Sequence, residues 1–294
     1  MRILALLASL ILASCFPGFQ KELSWLYQLQ GADPKEIAGS GFDIAVVDYS
    51  RDGTEEGKYS REEIEMMGEK LVTLAYVSIG EAEDYRYYWK EEWKENPPEW
   101  LGPENPDWPG NYAVRYWMEE WKEIVFSYIE KVKEQGFDGV YLDKVDEFEY
   151  WVENGMDEAT LARAMVGFIN EIKERAGTML GYIQNGERIV LFDKRILNLI
   201  DGIGVEDLFY DGVDPIDERE VEERLGVLRE YSSAGKRVLV VDYVDDGSGY
   251  EGDNLERIED FIKRSRREGF VPYAARSDRE LDEMVVIEGI QPPN

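Results

Sequence analysis

Gly136-Phe137-Asp138-Gly139-Val140-Tyr141-Leu142-Asp143 holds a helix stop, a strand and a strand-end acid within eight residues. Upstream of it, Met118, Trp121, Val125, Tyr128, Ile129 and Val132 recur at helical spacing, so 118–135 reads as a helix with one apolar stripe. Gly136 suits the left-handed position that ends such a helix. Gly139-Val-Tyr-Leu142 is apolar without alternation, as in a parallel strand covered on both faces. The succession of helix, glycine stop, buried strand and carboxylate is that of a β/α repeat.

Seven more runs share this character: Trp25-Leu-Tyr-Gln-Leu29, Ile44-Ala-Val-Val47, Val72-Thr-Leu-Ala-Tyr-Val77, Met179-Leu-Gly-Tyr-Ile183, Gly202-Ile-Gly-Val205, Val238-Leu-Val-Val241 and Phe270-Val-Pro-Tyr273. Helical patterns separate most of them, such as the stripe of Leu161, Met165, Phe168, Ile169 and Ile172. Ser60-Arg-Glu-Glu63 and Ser277-Asp-Arg-Glu280 read as capping boxes, and Gly235 and Gly269 as helix stops. Eight strands with helical crossovers predict an α/β fold of the (β/α)8 TIM-barrel type rather than an open doubly wound sheet. No Gly-x-Gly-x-x-Gly or P-loop follows the first strand, so nucleotide-binding folds lose their main support. Two short echoes agree with this order: Gly41-Phe-Asp43 with Gly136-Phe-Asp138, and Val46-Val-Asp-Tyr49 with Val240-Val-Asp-Tyr243.

The interval between Val77 and Gly139 is about twice what a barrel unit needs. It is rich in aromatic residues, from Tyr85, Tyr87, Tyr88 and Trp89 to Tyr116, Trp117 and Trp121, and it carries Pro97, Pro98, Pro103, Pro106 and Pro109. An extended, shaped loop after strand three is expected, on the face where barrel active sites form. Most of its rings should pack a small core of their own, leaving a few as platforms for sugar faces.

Composition narrows the chemistry. Histidine is absent, which removes histidine triads, imidazole bases and histidine metal ligands together. Cys15 is the only cysteine and closes Leu12-Ala13-Ser14-Cys15 after an apolar run that is too short to span a bilayer. This ending resembles a bacterial lipoprotein processing box. Residues 1–15 are therefore read as a signal ending at a lipidated Cys15, 16–24 as a tether and 25–294 as one barrel domain, anchored at the cell envelope or outside it. The formal charge of -30 disfavours nucleic acid and anionic lipid and suits a cationic partner, although solubility alone also accounts for it.

Carboxylates, tyrosines and lysines remain to carry chemistry at neutral pH. Residues just past the strand ends point into a barrel mouth, and here they form a ring of acids: Asp48, Glu81 with Glu83 and Asp84, Asp143 with Asp146 and Glu147, Glu187, Glu206 with Asp207, and Asp242. Asp143 and Glu206 each follow an apolar strand core, a setting that helps keep one of two neighbouring carboxyls protonated. Glycosidic hydrolysis requires that division between acid and base or nucleophile. Hard-cation binding is the competing use of such a ring.

Several blocks together resemble glycoside hydrolase family 114, the endo-α-1,4-polygalactosaminidases and their relatives. They are Trp25-Leu-Tyr-Gln-Leu-Gln30, Val47-Asp-Tyr49, Ala75-Tyr-Val-Ser-Ile-Gly-Glu81, Gly136-Phe-Asp-Gly-Val-Tyr-Leu-Asp143, Gln184-Asn185, Gly204-Val-Glu206 and Val240-Val-Asp-Tyr243. The resemblance implies a (β/α)8 barrel, no cofactor or metal, and a retaining mechanism with Asp143 as nucleophile and Glu206 as acid/base. It places Asp48, Tyr49, Tyr76, Glu81 and Asn185 in the pocket; Asp242 and Tyr243 join them as strand-end candidates. The expected partner is an amino-sugar polysaccharide or oligosaccharide, acted on by a monomer. A carbohydrate-binding surface lipoprotein without hydrolase activity is the alternative, and a metal-dependent hydrolase or lyase a weaker one.

Overall fold

Eight parallel strands run in sequence order around one sheet: Trp25–Gln28, Ile44–Val47, Val72–Ser78, Gly139–Asp143, Leu180–Gln184, Gly202–Glu206, Arg237–Asp245 and Val271–Arg276. The computed structural model describes residues 22–293. Cys15, the 1–15 leader and most of the 16–24 tether lie outside the described residues. The end of that tether already belongs to the barrel, because the Ser24 backbone N–H and hydroxyl donate to Asp43 Oδ2 at 2.9 and 2.8 Å. The sheet is nearly closed. At the seam between the first and eighth strands, the Trp25 indole N–H donates to the Val271 carbonyl at 2.9 Å.

Acids at the strand starts join the strands in pairs. Asp43 holds Ser24, Asp138 Oδ2 accepts from the Thr73 N–H and hydroxyl, and Asp201 Oδ2 accepts from the Gly181 N–H. The Gly-Phe-Asp echo therefore marks a repeated device at the end of the barrel opposite the acid ring. Outside the strands, the helices Glu119–Gln135 and Glu158–Ala176 turn their apolar stripes inward as expected, and Gly136 caps the first of them with φ 96°. None of the described helices is long and apolar enough to cross a membrane.

Aromatic rings fill the barrel, and glycines make room for them. Trp25, Tyr27, Tyr141, Tyr182 and Tyr273 are all buried inside. A Cβ on Gly202 would lie 2.2 Å from the Tyr182 ring, and one on Gly204 would lie 1.7 Å from the Tyr141 hydroxyl. The sixth strand therefore reads Gly-Ile-Gly because two phenol rings lie against it.

Two features depart from the sequence reading. The segment after the third strand contains a small antiparallel sheet, Glu81–Glu83, Asn111–Val114 and Leu101–Glu104, rather than loop alone. Trp89 stacks on Tyr112 at 4.8 Å and Trp100 contacts Trp121 at 5.0 Å, while Tyr85 and Trp108 stay 47% and 53% exposed. The second departure is at Ser277-Asp-Arg-Glu280, which caps no helix. Arg279 and Leu281 take positive φ instead, and the Arg279 side chain leaves the segment to pair with distant acids. By contrast, the box at Ser60–Glu63 forms as read.

Gly204→Ala should be destabilising by about 3 kcal/mol, because a methyl group there overpacks a filled interior. Urea unfolding would measure this, and adding Tyr141→Phe should recover part of the loss by deleting the clashing hydroxyl, which has no hydrogen-bond partner among the described residues.

Candidate active site

The fourth, fifth and sixth strands end in the same backbone turn. Lys144, Asn185 and Asp207 follow them directly with φ of 62°, 56° and 50°, although none is glycine. Left-handed backbone at such residues costs roughly 1 kcal/mol or more each and clusters where function requires a fixed direction. At Lys144 the turn brings the backbone N–H onto Asp143 Oδ1 at 2.7 Å. At Asn185 it sends the side chain to Glu206, with Nδ2 donating to Oε2 at 2.9 Å and Oδ1 accepting the Glu206 N–H at 3.2 Å.

Both strand-end carboxyls are also held by tyrosines. The Tyr76 hydroxyl donates to Asp143 Oδ2 at 2.6 Å, and the Tyr243 hydroxyl donates to Glu206 Oε1. Gln184 adds a third donor to Glu206, Nε2 to Oε2 at 2.7 Å. Asp143 is buried, and burial together with the nearby Glu206 charge pushes its carboxyl well above the usual range against the pull of Tyr76 and Lys144. Beneath the pair, burial and both carboxylates keep the Tyr27 and Tyr141 phenols protonated. The floor of the site beneath the two acids is thus neutral.

The remaining predicted residues divide. Glu81 is buried beside the site, where it receives the Lys144 ammonium at 3.1 Å and the Asn105 and Asn111 amides at 2.8 and 3.3 Å. It thereby docks the aromatic hairpin onto the loop after the fourth strand. Asp48, Tyr49 and Asp242 do not reach the opening. The Arg86 guanidinium, itself buried, bonds both Asp48 and Glu83, and burial raises the Asp48 carboxyl to about 6. Tyr49 gives its hydroxyl to the Gly53 carbonyl at 2.8 Å. Asp242 is fully buried and accepts three backbone N–H bonds, from Leu208, Phe209 and Tyr210, at 2.8 to 2.9 Å. These two acids and one phenol are scaffold because burial leaves their polar atoms no partner except the protein's own donors and acceptors.

Nearby Glu147 is pushed up to about 9 by burial, so it is a neutral acid at pH 7. A cleft of about 490 Å³ opens beside Glu206 and Asn185 and runs outward past Asp146, Glu187, Arg188, Glu220, Glu223 and Arg224. Its arginines are already matched, Arg224 by Glu187 and Arg188 by Glu149 and Glu158. The surplus charge is therefore negative. No group of three or more acids arranged to hold a metal ion occurs among the described residues. The sequence reading missed Gln184, Lys144, Arg86 and Arg279; an isolated polar residue at the end of an apolar strand was the available signal for Gln184.

The model of glycoside-hydrolase family GH114 matches residues 12–291. The chain belongs to this family. As a GH114 member it is a glycosidase. An uncharacterized protein of Methanocaldococcus jannaschii is 57% identical over 88% of the chain and 77% of its own length, and one of Thermotoga maritima is 54% identical over 92% and 85%. Among solved structures, the glycoside hydrolase domain of PelA from Pseudomonas aeruginosa superposes with TM-score 0.68 at 16% identity, over 90% of this chain and 97% of that one. Ega3 of Aspergillus fumigatus, in complex with galactosamine, gives 0.68 at 14% identity over 91% and 96%. The fold shared with these structures is the TIM barrel.

Asp242→Asn should be destabilising to this GH114 barrel by about 2–4 kcal/mol, since an amide cannot accept all three N–H bonds and leaves buried donors unmet. A lowered thermal midpoint would register it.

Proposed function

We propose that this glycosidase is extracellular and cleaves an amino-sugar polysaccharide such as α-1,4-polygalactosamine through a two-carboxylate retaining mechanism. The observation that carries the reading is the pairing of Asp143 with Glu206, two strand-end acids in one mouth, each oriented by a tyrosine hydroxyl. The cleft that continues from Glu206 supports a cationic substrate, because its carboxylates outnumber its arginines. The galactosamine bound to Ega3 supports the same sugar class.

In the proposed reaction Glu206 gives a proton to the interglycosidic oxygen while Asp143 attacks the anomeric carbon. The bond from that carbon to the leaving oxygen breaks as the bond to Asp143 forms. Glu206, now ionised, takes a proton from water, and the resulting hydroxide equivalent releases the sugar from Asp143 with net retention. Attack requires Asp143 ionised, whereas burial and Glu206 favour its protonated form in the resting protein. A sugar ammonium entering beside the pair would favour the ionised form of Asp143.

Incubation with galactosamine oligomers should release new reducing ends whose first-formed anomer, by proton NMR, is the same as in the polymer. Asp143→Asn and Glu206→Gln should each lower kcat by about 10³-fold with the fold intact. Activity should fall as pH drops through an apparent pKa above the ordinary carboxylate range, because a raised Asp143 binds the proton that stops its attack. Tight glycan binding with no reducing ends, unaffected by Asp143→Asn, would sink the proposal.

Lipidation of Cys15 accounts for an envelope location, with the barrel held near polymer outside the cell. Expressed in a bacterial host, the full chain should partition into the detergent phase on Triton X-114 separation, and Cys15→Ser should move it to the aqueous phase. Equal partition of both forms would show that Cys15 is not the anchor.

A further inference from the structure

The C-terminal segment that fails to become a helix runs from the end of the eighth strand to the end of the first. The Leu281 carbonyl accepts the Leu29 and Gln30 N–H groups at 2.8 and 3.1 Å, just past the first strand. From there the Arg279 side chain reaches past the seventh strand to the residues that follow the sixth. Its Nη1 and Nη2 donate to the two oxygens of Asp207 at 2.8 and 2.9 Å, and Nη2 also bonds Asp211 at 2.7 Å. The guanidinium carbon lies 4.4 Å from the centre of the Tyr243 ring. Tyr243 in turn donates its hydroxyl to Glu206, and Asp207 is the residue after Glu206.

We propose that Arg279 is a positioning residue for Glu206, acting through the Tyr243 ring and the Asp207 carboxylate. One planar cation performs two tasks there. Its fork fixes both oxygens of Asp207 and with them the left-handed turn that directs Glu206. Its face holds the phenol by cation–π attraction at the angle from which the hydroxyl meets Oε1. The positive φ of Arg279, 64°, is the backbone cost of this reach. Lysine could keep the charge over the ring but not the fork.

The inference rests on the role proposed for Glu206, so its test has one arm that needs no substrate. In a crystal structure of Arg279→Ala, the Tyr243 hydroxyl should have left hydrogen-bond distance of Glu206. In the second arm, with α-1,4-linked galactosamine oligomers, Arg279→Ala should lower kcat about 10- to 100-fold with KM within about twofold. Arg279→Lys should recover part of that loss, and the double variant with Tyr243→Phe should lose less than the two single losses combined, because the two share the contact to Glu206. An unmoved Tyr243, a kcat within about threefold of the parent, or additive losses in the double variant would overturn the assignment. If the parent leaves the oligomers intact, the substrate reading fails instead, and the crystal structure alone decides Arg279.

Discussion

Two carboxyl groups brought together in a largely buried mouth repel each other whenever both are ionised, and the rest of the site is arranged around that cost. Each acid is held by one phenol, Tyr76 on Asp143 and Tyr243 on Glu206. Each phenol lies beside an arginine that is itself matched by acids: Arg86 with Asp48 and Glu83, 5.9 Å from the Tyr76 ring, and Arg279 with Asp207 and Asp211. The arginines neutralise neither member of the pair directly. They stand one ring away, where they orient the phenols without cancelling the charge that the chemistry uses.

Packing beneath the pair answers to the same constraint. Tyr27 and Tyr141 close the barrel under the carboxyls with uncharged, hard-to-ionise rings, and Gly204 on the sixth strand leaves room for the second of them. A charged or wet floor would weaken the mutual influence of Asp143 and Glu206. The glycine that admits a ring and the acid that follows two residues later on the same strand are therefore parts of one arrangement.

Much of this was legible in the chain. All eight strands declared themselves as short apolar runs, since strands buried on both faces need no alternation, and the acid after the fourth and sixth runs followed from barrel geometry. Side-chain direction was less legible. Asp242 follows the apolar run Val238–Val241 as Asp143 follows its own, yet it turns to the N–H groups of Leu208, Phe209 and Tyr210, which are more than thirty residues away in sequence. Asp48 likewise answers to Arg86, a residue with no local pattern to mark it. Ser277-Asp-Arg-Glu280 had the letters of a helix start, but Arg279 gains two distant carboxylates by leaving helical geometry, and tertiary pairing overrode local propensity.

The segment that carries Arg279 also sets an order of assembly. Asp207 and Arg279 are 72 residues apart, and Leu281 must meet Leu29, near the other end of the described chain. During synthesis the sixth strand emerges long before the residue that steadies its terminal acid, so Glu206 is seated only once residue 279 has been made. A product interrupted before residue 279 would carry both acids and most of the barrel while lacking the clasp between them and the first strand. Both acids are thus present in the nascent chain well before the contact that steadies Glu206, and the pair is held in place only after residues 279–281 have met Asp207 and Leu29.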